Sequence, residues 1–411
     1  MQAPDTATQL SRFARRGAGT DAERRAAAWL AGQLRGGRRR ARVQTFWCRP
    51  NWALAHAWHV MAAIVGSLLA VHHAYLGGAI VLAALLCVVS DAVTGYSPGR
   101  RLTREHASQN VISRAPAEPA DARARLIVTA NYDAGRAGLA YRAGLRAPAR
   151  RLSRLTGPLS PGWMGWLVIL MAWLVAVAVA RHGGSTGTPI GVVQLIPTAA
   201  LVLALALLLE LAGAPFGPAA GDNGAGAAVA IALVRALDAA PPRRLSVELV
   251  LQGAGEAGMA GLHHHLRSRR GELRPANTIV LGIAAAGGGR PRWWVSDGPF
   301  VPLRYAPRLR GLAAKAARPA AGGAPIARRH RGRGCSPALP ARSRGLPALT
   351  IGCLDPRGLA PRSHQVGDTP ANLDPAAPDA LLQFALTLVD AIDADLARVL
   401  SDRGAAAPAA A

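Results

Sequence analysis

Two pairs of long apolar segments interrupt this 411-residue chain and limit the folds that it can adopt. The first pair covers residues 52–71 and 75–93, and the second covers residues 163–180 and 190–211. Each segment is close to the roughly 20 residues that a helix needs to cross the hydrocarbon core of a bilayer. The sequence therefore predicts an integral membrane protein with four transmembrane helices, arranged as two helical hairpins.

The apolar pairs divide the chain into five parts, of which the three polar parts are predicted to form one domain. The parts are an N-terminal helix and strand at 1–51, a hairpin at 52–95, a continuation of the domain at 96–161, a second hairpin at 162–212 and the main part at 213–411. Each hairpin returns the chain to the side that it left, so the polar parts can assemble on one side of the membrane. Arginine-rich flanks beside the hairpins favour the cytoplasm for that side.

The charge of the chain is strongly positive, with a formal net charge of +25. A GC-rich genome that favours arginine codons explains most of this charge, and affinity for anionic lipid or nucleic acid is the functional alternative. Membrane lipid is a predicted partner. The densest basic run, residues 328–333, lies in a segment rich in glycine and proline without interleaved aromatic residues. No specific nucleic-acid recognition is therefore predicted. The four cysteines include no C-x-x-C pair, so no zinc knuckle or redox motif is indicated.

Four short motifs carry the candidate chemistry of the chain. In chain order they contain Asn131 and Asp133, then Asp222, then Gly255 and Glu256, and finally His364 and Asp368. The first and third motifs follow the strand-like runs 125–130 and 245–251, and the second precedes a helical pattern. Candidate ligands thus fall at the carboxyl ends of strands, where open α/β sheets bind their ligands.

In this order the motifs resemble those of the di-zinc aminopeptidase family, which read H-x-D, D-N-x-x-G, E-E-x-G and a late H followed by D-T. The resemblance implies an α/β fold, a three-layer sandwich with a mixed, mostly parallel sheet, here interrupted by the two transmembrane hairpins. It also implies that Asp222, Glu256 and His364 hold zinc, with Asp222 at the bridging position. Asp133 would orient a ligand at position 131 or, with Asn131 there, only bond loop amides, and Asp368 would tie the loop that presents His364.

The other half of the family's site is absent from the sequence. Asn131 stands at the position of a histidine ligand, and Gly255 at that of the glutamate general base, so no catalytic base is predicted. Alanines Ala284 and Ala285 follow the strand after which the family has a further aspartate ligand. The resemblance therefore implies one zinc ion rather than two.

Two functions within this resemblance remain open, beside a third hypothesis of a membrane protein that binds lipid surfaces or nucleic acid through its arginines. The first is a membrane-anchored, aminopeptidase-like metallopeptidase that holds one zinc ion and is weakly active as a hydrolase. The second is a catalytically dead pseudopeptidase that acts as a membrane binding or scaffolding module. Both imply a peptide or peptide-like ligand, and Gly255 and Asn131 favour the second.

Overall fold

The computed structural model describes residues 3–142, 144–145, 161–300, 302–318 and 323–405. Part of the predicted segment 96–161, namely residues 143 and 146–160, lies outside the described residues, and the five predicted boundaries stay a prediction. The strands are β1 (Arg40–Cys48), β2 (His106–Arg114), β3 (Ala124–Asn131), β4 (Leu245–Gln252), β5 (Thr278–Ile283), β6 (Arg290–Asp297), β7 (Leu303–Arg304), β8 (Arg328–Arg331) and β9 (Ala348–Leu354). The helices are α1 (Ala3–Ser11), α2 (Asp21–Gly36), α3 (Trp52–Leu69), α4 (Ala74–Thr94), α5 (Pro98–Arg101), α6 (Gly162–His182), α7 (Thr188–Gly213), α8 (Gly226–Ala239), α9 (Ala260–Ser268), α10 (Pro307–Ala316), α11 (Leu339–Ser343) and α12 (Ala376–Ala405).

The strands form one mixed sheet in the order β1-β2-β4-β3-β5-β9-β6-β7, with β8 beside β6. The central strands β4, β3, β5 and β9 run parallel, whereas β1, β2, β6 and β7 join by antiparallel pairs. The predicted mixed α/β fold is confirmed, and the parallel character belongs to the centre of the sheet and to the β6–β8 pair.

The central strands are buried along almost their whole length because helices cover both faces of the sheet. β3 is buried almost throughout, which is typical of a parallel strand inside an α/β domain. Alternate residues of β4 point to one face, where Glu248 meets Arg269 and Gln252 meets Leu262 at α9. Helices α2, α8 and α12 pack on the sheet as well, and α8 packs on α12.

Four helices, α3, α4, α6 and α7, are long and apolar enough to cross a membrane among the described residues. α3 packs against α4 and α7, and α6 packs against α4 and α7. A polar contact joins α3 to α7, since the hydroxyls of Ser67 and Thr198 lie 2.8 Å apart and the Gln194 amide donates to the Ser67 carbonyl at 2.5 Å. The four predicted apolar segments are therefore confirmed as helices, each extended or shortened by a few residues at its ends.

Candidate functional site

The loops after β3 and β4 meet because these strands are parallel neighbours, with Asn131 opposite Gln252 at their carboxyl ends. Asp133, in the first loop, is fully buried. Its two carboxylate oxygens accept the backbone N–H groups of Gly255 at 3.1 Å and Glu256 at 3.0 Å. Burial, followed by the nearby charge of Glu256, raises the pKa of Asp133 to about 8. Asp133 thus sets the position of Glu256 through the backbone.

Asp368 holds the Asp222 loop in the same way. Its carboxylate accepts the backbone N–H groups of Gly221 at 2.7 Å and Asp222 at 3.0 Å. Burial raises the pKa of Asp368 to about 6. The Ser363 hydroxyl donates a hydrogen bond to the Asp222 carboxylate, with Oγ 2.5 Å from Oδ2. Asp133 and Asp368 therefore each bind two consecutive amides beside a candidate ligand.

Glu256 and His364 are in direct contact, with Glu256 Oε2 3.3 Å from His364 Nε2. The other oxygen of Glu256 accepts the Asn223 amide at 2.6 Å. Burial and the neighbouring Asp222 carboxylate raise the pKa of Glu256 to about 8. The ring of Tyr141 stacks on His364 with centroids 4.2 Å apart. Three elements far apart in sequence thus bring Asp222, Glu256 and His364 into one region.

The side-chain space at Gly255, the predicted position of the general base, is filled by the neighbouring Asn131. A Cβ atom added at Gly255 would lie 2.2 Å from Cγ of Asn131 and 2.5–2.6 Å from its amide oxygen and nitrogen. The Asn131 side chain is buried, and its Oδ1 has no hydrogen-bond partner among the described residues. The amide of Asn131 therefore occupies the space into which a side chain at position 255 would project.

Zinc fits these residues in part. Two ligands bound at 2.0–2.1 Å in a tetrahedral arrangement lie about 3.3–3.4 Å apart, which matches the Glu256–His364 separation. Asp222, however, is engaged by Ser363, and within the described ranges no group of three His, Cys, Asp or Glu side chains is arranged to hold a metal ion. The one-zinc set stays a prediction, and no catalytic step is derived through a metal.

Two buried charged residues support the site without having been predicted to do so. Glu23, in the first turn of α2, accepts with its carboxylate the Ser108 hydroxyl at 2.9 Å and the Ala254 amide at 2.8 Å, directly before Gly255. Arg16 is fully buried and donates to the carbonyls of Tyr132, Pro218 and Ala219 at 2.6–2.9 Å. The spacing of Thr20 and Glu23 is typical of a helix cap and is a signal that could have marked Glu23, whereas no sequence pattern marks Arg16.

A cavity of about 1260 Å³ adjoins the site. Asn131, Asp222, Gly255, Glu256 and His364 line one part of it. Another part is lined by residues of α3, α4 and α6. The candidate site is therefore accessible to a ligand of considerable size.

The fold and the order of the motifs define an α/β domain of the metallopeptidase class. Residues 210–389, which include Asp222, Glu256 and His364, match the sequence profile described as Peptidase family M28. This part of the chain is therefore similar to peptidase family M28, and the predicted resemblance is confirmed. A search of curated proteins gives no match.

Solved structures share the fold at low sequence identity. BSAP, a zinc aminopeptidase from Bacillus subtilis, superposes with a TM-score of 0.55 at 13% identity, covering 94% of each chain. The glutaminyl cyclase of Bacteroides thetaiotaomicron, solved with N-acetylhistamine, gives 0.52 at 13% identity over 95% of this chain and 96% of its own. The glutaminyl cyclase of Porphyromonas gingivalis gives 0.52 at 15% identity over the same shares. At such identities the likeness establishes the fold.

Proposed function

We propose that the chain is a membrane-anchored, peptide-binding member of the M28 fold that holds at most one zinc ion and hydrolyses peptides slowly or not at all. The observation that carries this proposal is the close approach of the Asn131 amide to Gly255. Glycine offers no general base, and the amide fills the space that a side chain at position 255 would need.

The loss of a base has a large effect on hydrolysis. A positioned general base contributes roughly 10²–10⁴-fold to the rate of a proton-transfer step. Glu256 is the carboxylate beside Gly255, but the Asn223 amide and His364 already engage its two oxygens. Binding of a peptide-like ligand does not need a general base. The cavity that Glu256 helps to line supports such binding.

The zinc component of the proposal concerns Asp222, Glu256 and His364. The solved zinc aminopeptidase with the same fold supports a metal in this region. In this chain Asp222 would have to exchange the Ser363 hydroxyl for the ion. The second set of ligands is absent, because Asn131 and the alanines after β5 offer no ionisable side chain.

Metal content tests the proposal most directly. Purified protein equilibrated with zinc is expected to retain no more than about one ion per chain by elemental analysis, and His364→Ala should abolish that retention. Asn131→Ala is the matched control from the other half of the site and should leave it unchanged. Two tightly held ions per chain, or rapid turnover of aminoacyl substrates by the wild type, would overturn the proposal.

The proposed orientation places the M28 domain and both chain termini in the cytoplasm, with lipid around α3, α4, α6 and α7. The connections α3–α4 and α6–α7 then lie on the opposite side. Single cysteines at the exposed positions His73 and Ser185, in a background with the native cysteines replaced by serine, should react with a membrane-impermeant reagent added outside intact cells. A cysteine at Arg12 should react only after lysis, and the reverse pattern would reject this orientation.

A further inference from the structure

We propose, on the basis of the membrane-anchored peptide-binding function above, that the ligand carries a long apolar chain that enters from the bilayer while its peptide end reaches Glu256 and His364. The observation behind this proposal is the shape of the cavity. One continuous space joins the candidate site of the M28 domain to the ends of the membrane helices.

The wall contributed by the membrane helices is apolar and aromatic. Trp52 of α3, Ala92 of α4, and Trp163, Met164 and Val168 of α6 line it. Trp52 and Trp163 are in ring contact, with centroids 5.5 Å apart. Such a wall offers a short polar peptide little to bind, whereas an alkyl chain is stabilised there by each methylene group that it removes from water.

The mouth of the cavity lies at the end of α4. Trp47, Val93 and Tyr96 line the cavity and are also 69%, 67% and 62% exposed. Aromatic side chains at the end of a membrane helix are typical of the interface between lipid and water. A ligand anchored in the bilayer would therefore meet the opening at the depth where its own apolar chain begins.

The charged residue in this wall is neutralised by its neighbours. Asp91, in the last turn of α4, accepts two hydrogen bonds at 2.7 Å from the guanidinium of Arg100 and one at 2.8 Å from Ser97. His56 Nε2 lies 3.3 Å from the same carboxylate. Asp91 consequently fixes the end of α4 against α5 without presenting an unbalanced charge to an apolar chain.

The size of the cavity supports an occupant larger than a short peptide. Pockets for small ligands measure roughly 300–1,000 Å³, and this one measures about 1260 Å³. A ligand confined to the polar end would leave the apolar wall in contact with water. An acylated peptide, or the end of a membrane-inserted one, covers both parts, and the two sources share the same chemistry.

Two probes separate the polar and apolar contributions. Leu-Gly methylamide carries only the peptide end, and Leu-Gly dodecylamide adds a twelve-carbon chain with a photoreactive diazirine at its tip. Binding is measured to the full chain in lipid nanodiscs, and the photoproduct is mapped by mass spectrometry. Ala92→Trp and Val168→Trp each fill the apolar wall, and Leu203→Trp, on the exposed face of α7, is the matched control.

The dodecyl probe is expected to bind the wild type at least about tenfold more tightly than the methyl probe, with label on α4 or α6. Both filling variants should lose that advantage while binding the methyl probe as the wild type does, and Leu203→Trp should keep it. A second alkylated peptide, with the chain on an internal lysine, should compete if the source is a membrane-inserted segment rather than a terminally acylated one.

Four outcomes would overturn the inference. The methyl probe binding as tightly as the dodecyl probe would remove the apolar contribution and leave the proposed peptide binding intact. If both filling variants keep the tighter binding of the dodecyl probe, the alkyl chain contacts bulk lipid and not the apolar wall. If phospholipid alone displaces the dodecyl probe, the cavity holds bulk lipid and not this ligand. Failure of both probes to bind would reject peptide binding itself together with this inference.

Discussion

The two halves of the candidate site differ in how their side chains are supported. In the half that contains Asp222, Glu256 and His364, every named carboxylate has a hydrogen-bond partner, and Asp133 and Asp368 hold the loops that present them. In the half that contains Asn131 and Gly255, one side chain fills the space of the other, and an amide oxygen is left without a partner among the described residues.

This difference indicates that the half with Asn131 and Gly255 is closed, because a side chain fills it, in addition to having no predicted zinc ligands. A site that had only lost a ligand would regain it by a single substitution. Here a side chain at position 255 would collide with the Asn131 amide, so Asn131 has to move or be replaced to admit it. The supported half, by contrast, retains the backbone contacts that a functional loop requires.

The largest effect is expected from reopening the closed half. Asn131→Ala removes the three atoms that a Cβ at Gly255 would meet. The double variant Asn131→Ala/Gly255→Glu should therefore accept a general base and raise the zinc-loaded protein's turnover of aminoacyl substrates by roughly 10²–10⁴-fold. Gly255→Glu alone should instead lower stability by about 1–3 kcal/mol through overpacking, with no gain in turnover.

Asn131→Ala/Gly255→Gln is the control for this experiment, since it has the same size without a base. It should fold like the double variant and show wild-type turnover. If Gly255→Glu alone were as stable and as active as the double variant, Asn131 would not close the site, and the contrast between the two halves would disappear.

A smaller effect is expected from weakening the supported half. Asp133→Asn keeps the shape but gives two backbone N–H groups only one acceptor oxygen, and an unsatisfied buried donor costs about 1–3 kcal/mol. The melting temperature of the detergent-solubilised protein, followed by tryptophan fluorescence, should fall accordingly. The melting temperature of Asn131→Ala should fall less, because this substitution in the other half leaves no donor unsatisfied.

Asp133→Asn should also change how the melting temperature depends on pH. The pKa of Asp133 is about 8 in the folded protein, above its value near 3.9 in an unfolded chain. Its contribution to stability is therefore fully present below about pH 4 and is lost as the pH rises through 8. The metal-free wild type should melt at a higher temperature at pH 5 than at pH 8.5, and Asp133→Asn should reduce that difference. A wild type that is more stable at pH 8.5 would contradict the assignment.

The sequence predicted the parts of the site that depend on local pattern. Apolar runs gave β3 and β4, and parallel strands necessarily bring the Asp133 and Glu256 loops to one edge. The contact between Asn131 and Gly255 depends on strand register and on side-chain direction, which no local pattern specifies. Arg16 was missed for a related reason, because a buried arginine that binds three carbonyls looks like any other arginine in a chain this basic.

One further consequence concerns how this domain is made. Cys48 at the end of β1 pairs with His106 at the start of β2, so the connection between two adjacent strands contains both α3 and α4. A flexible connection of this length would oppose the pairing, because the entropy lost on closing a loop grows with its length. Packed against each other, α3 and α4 return the chain to within reach of β1. We therefore expect the newly synthesised chain to insert this helical pair before that edge of the sheet can form, so that the lipid acts as a folding template for a domain outside it.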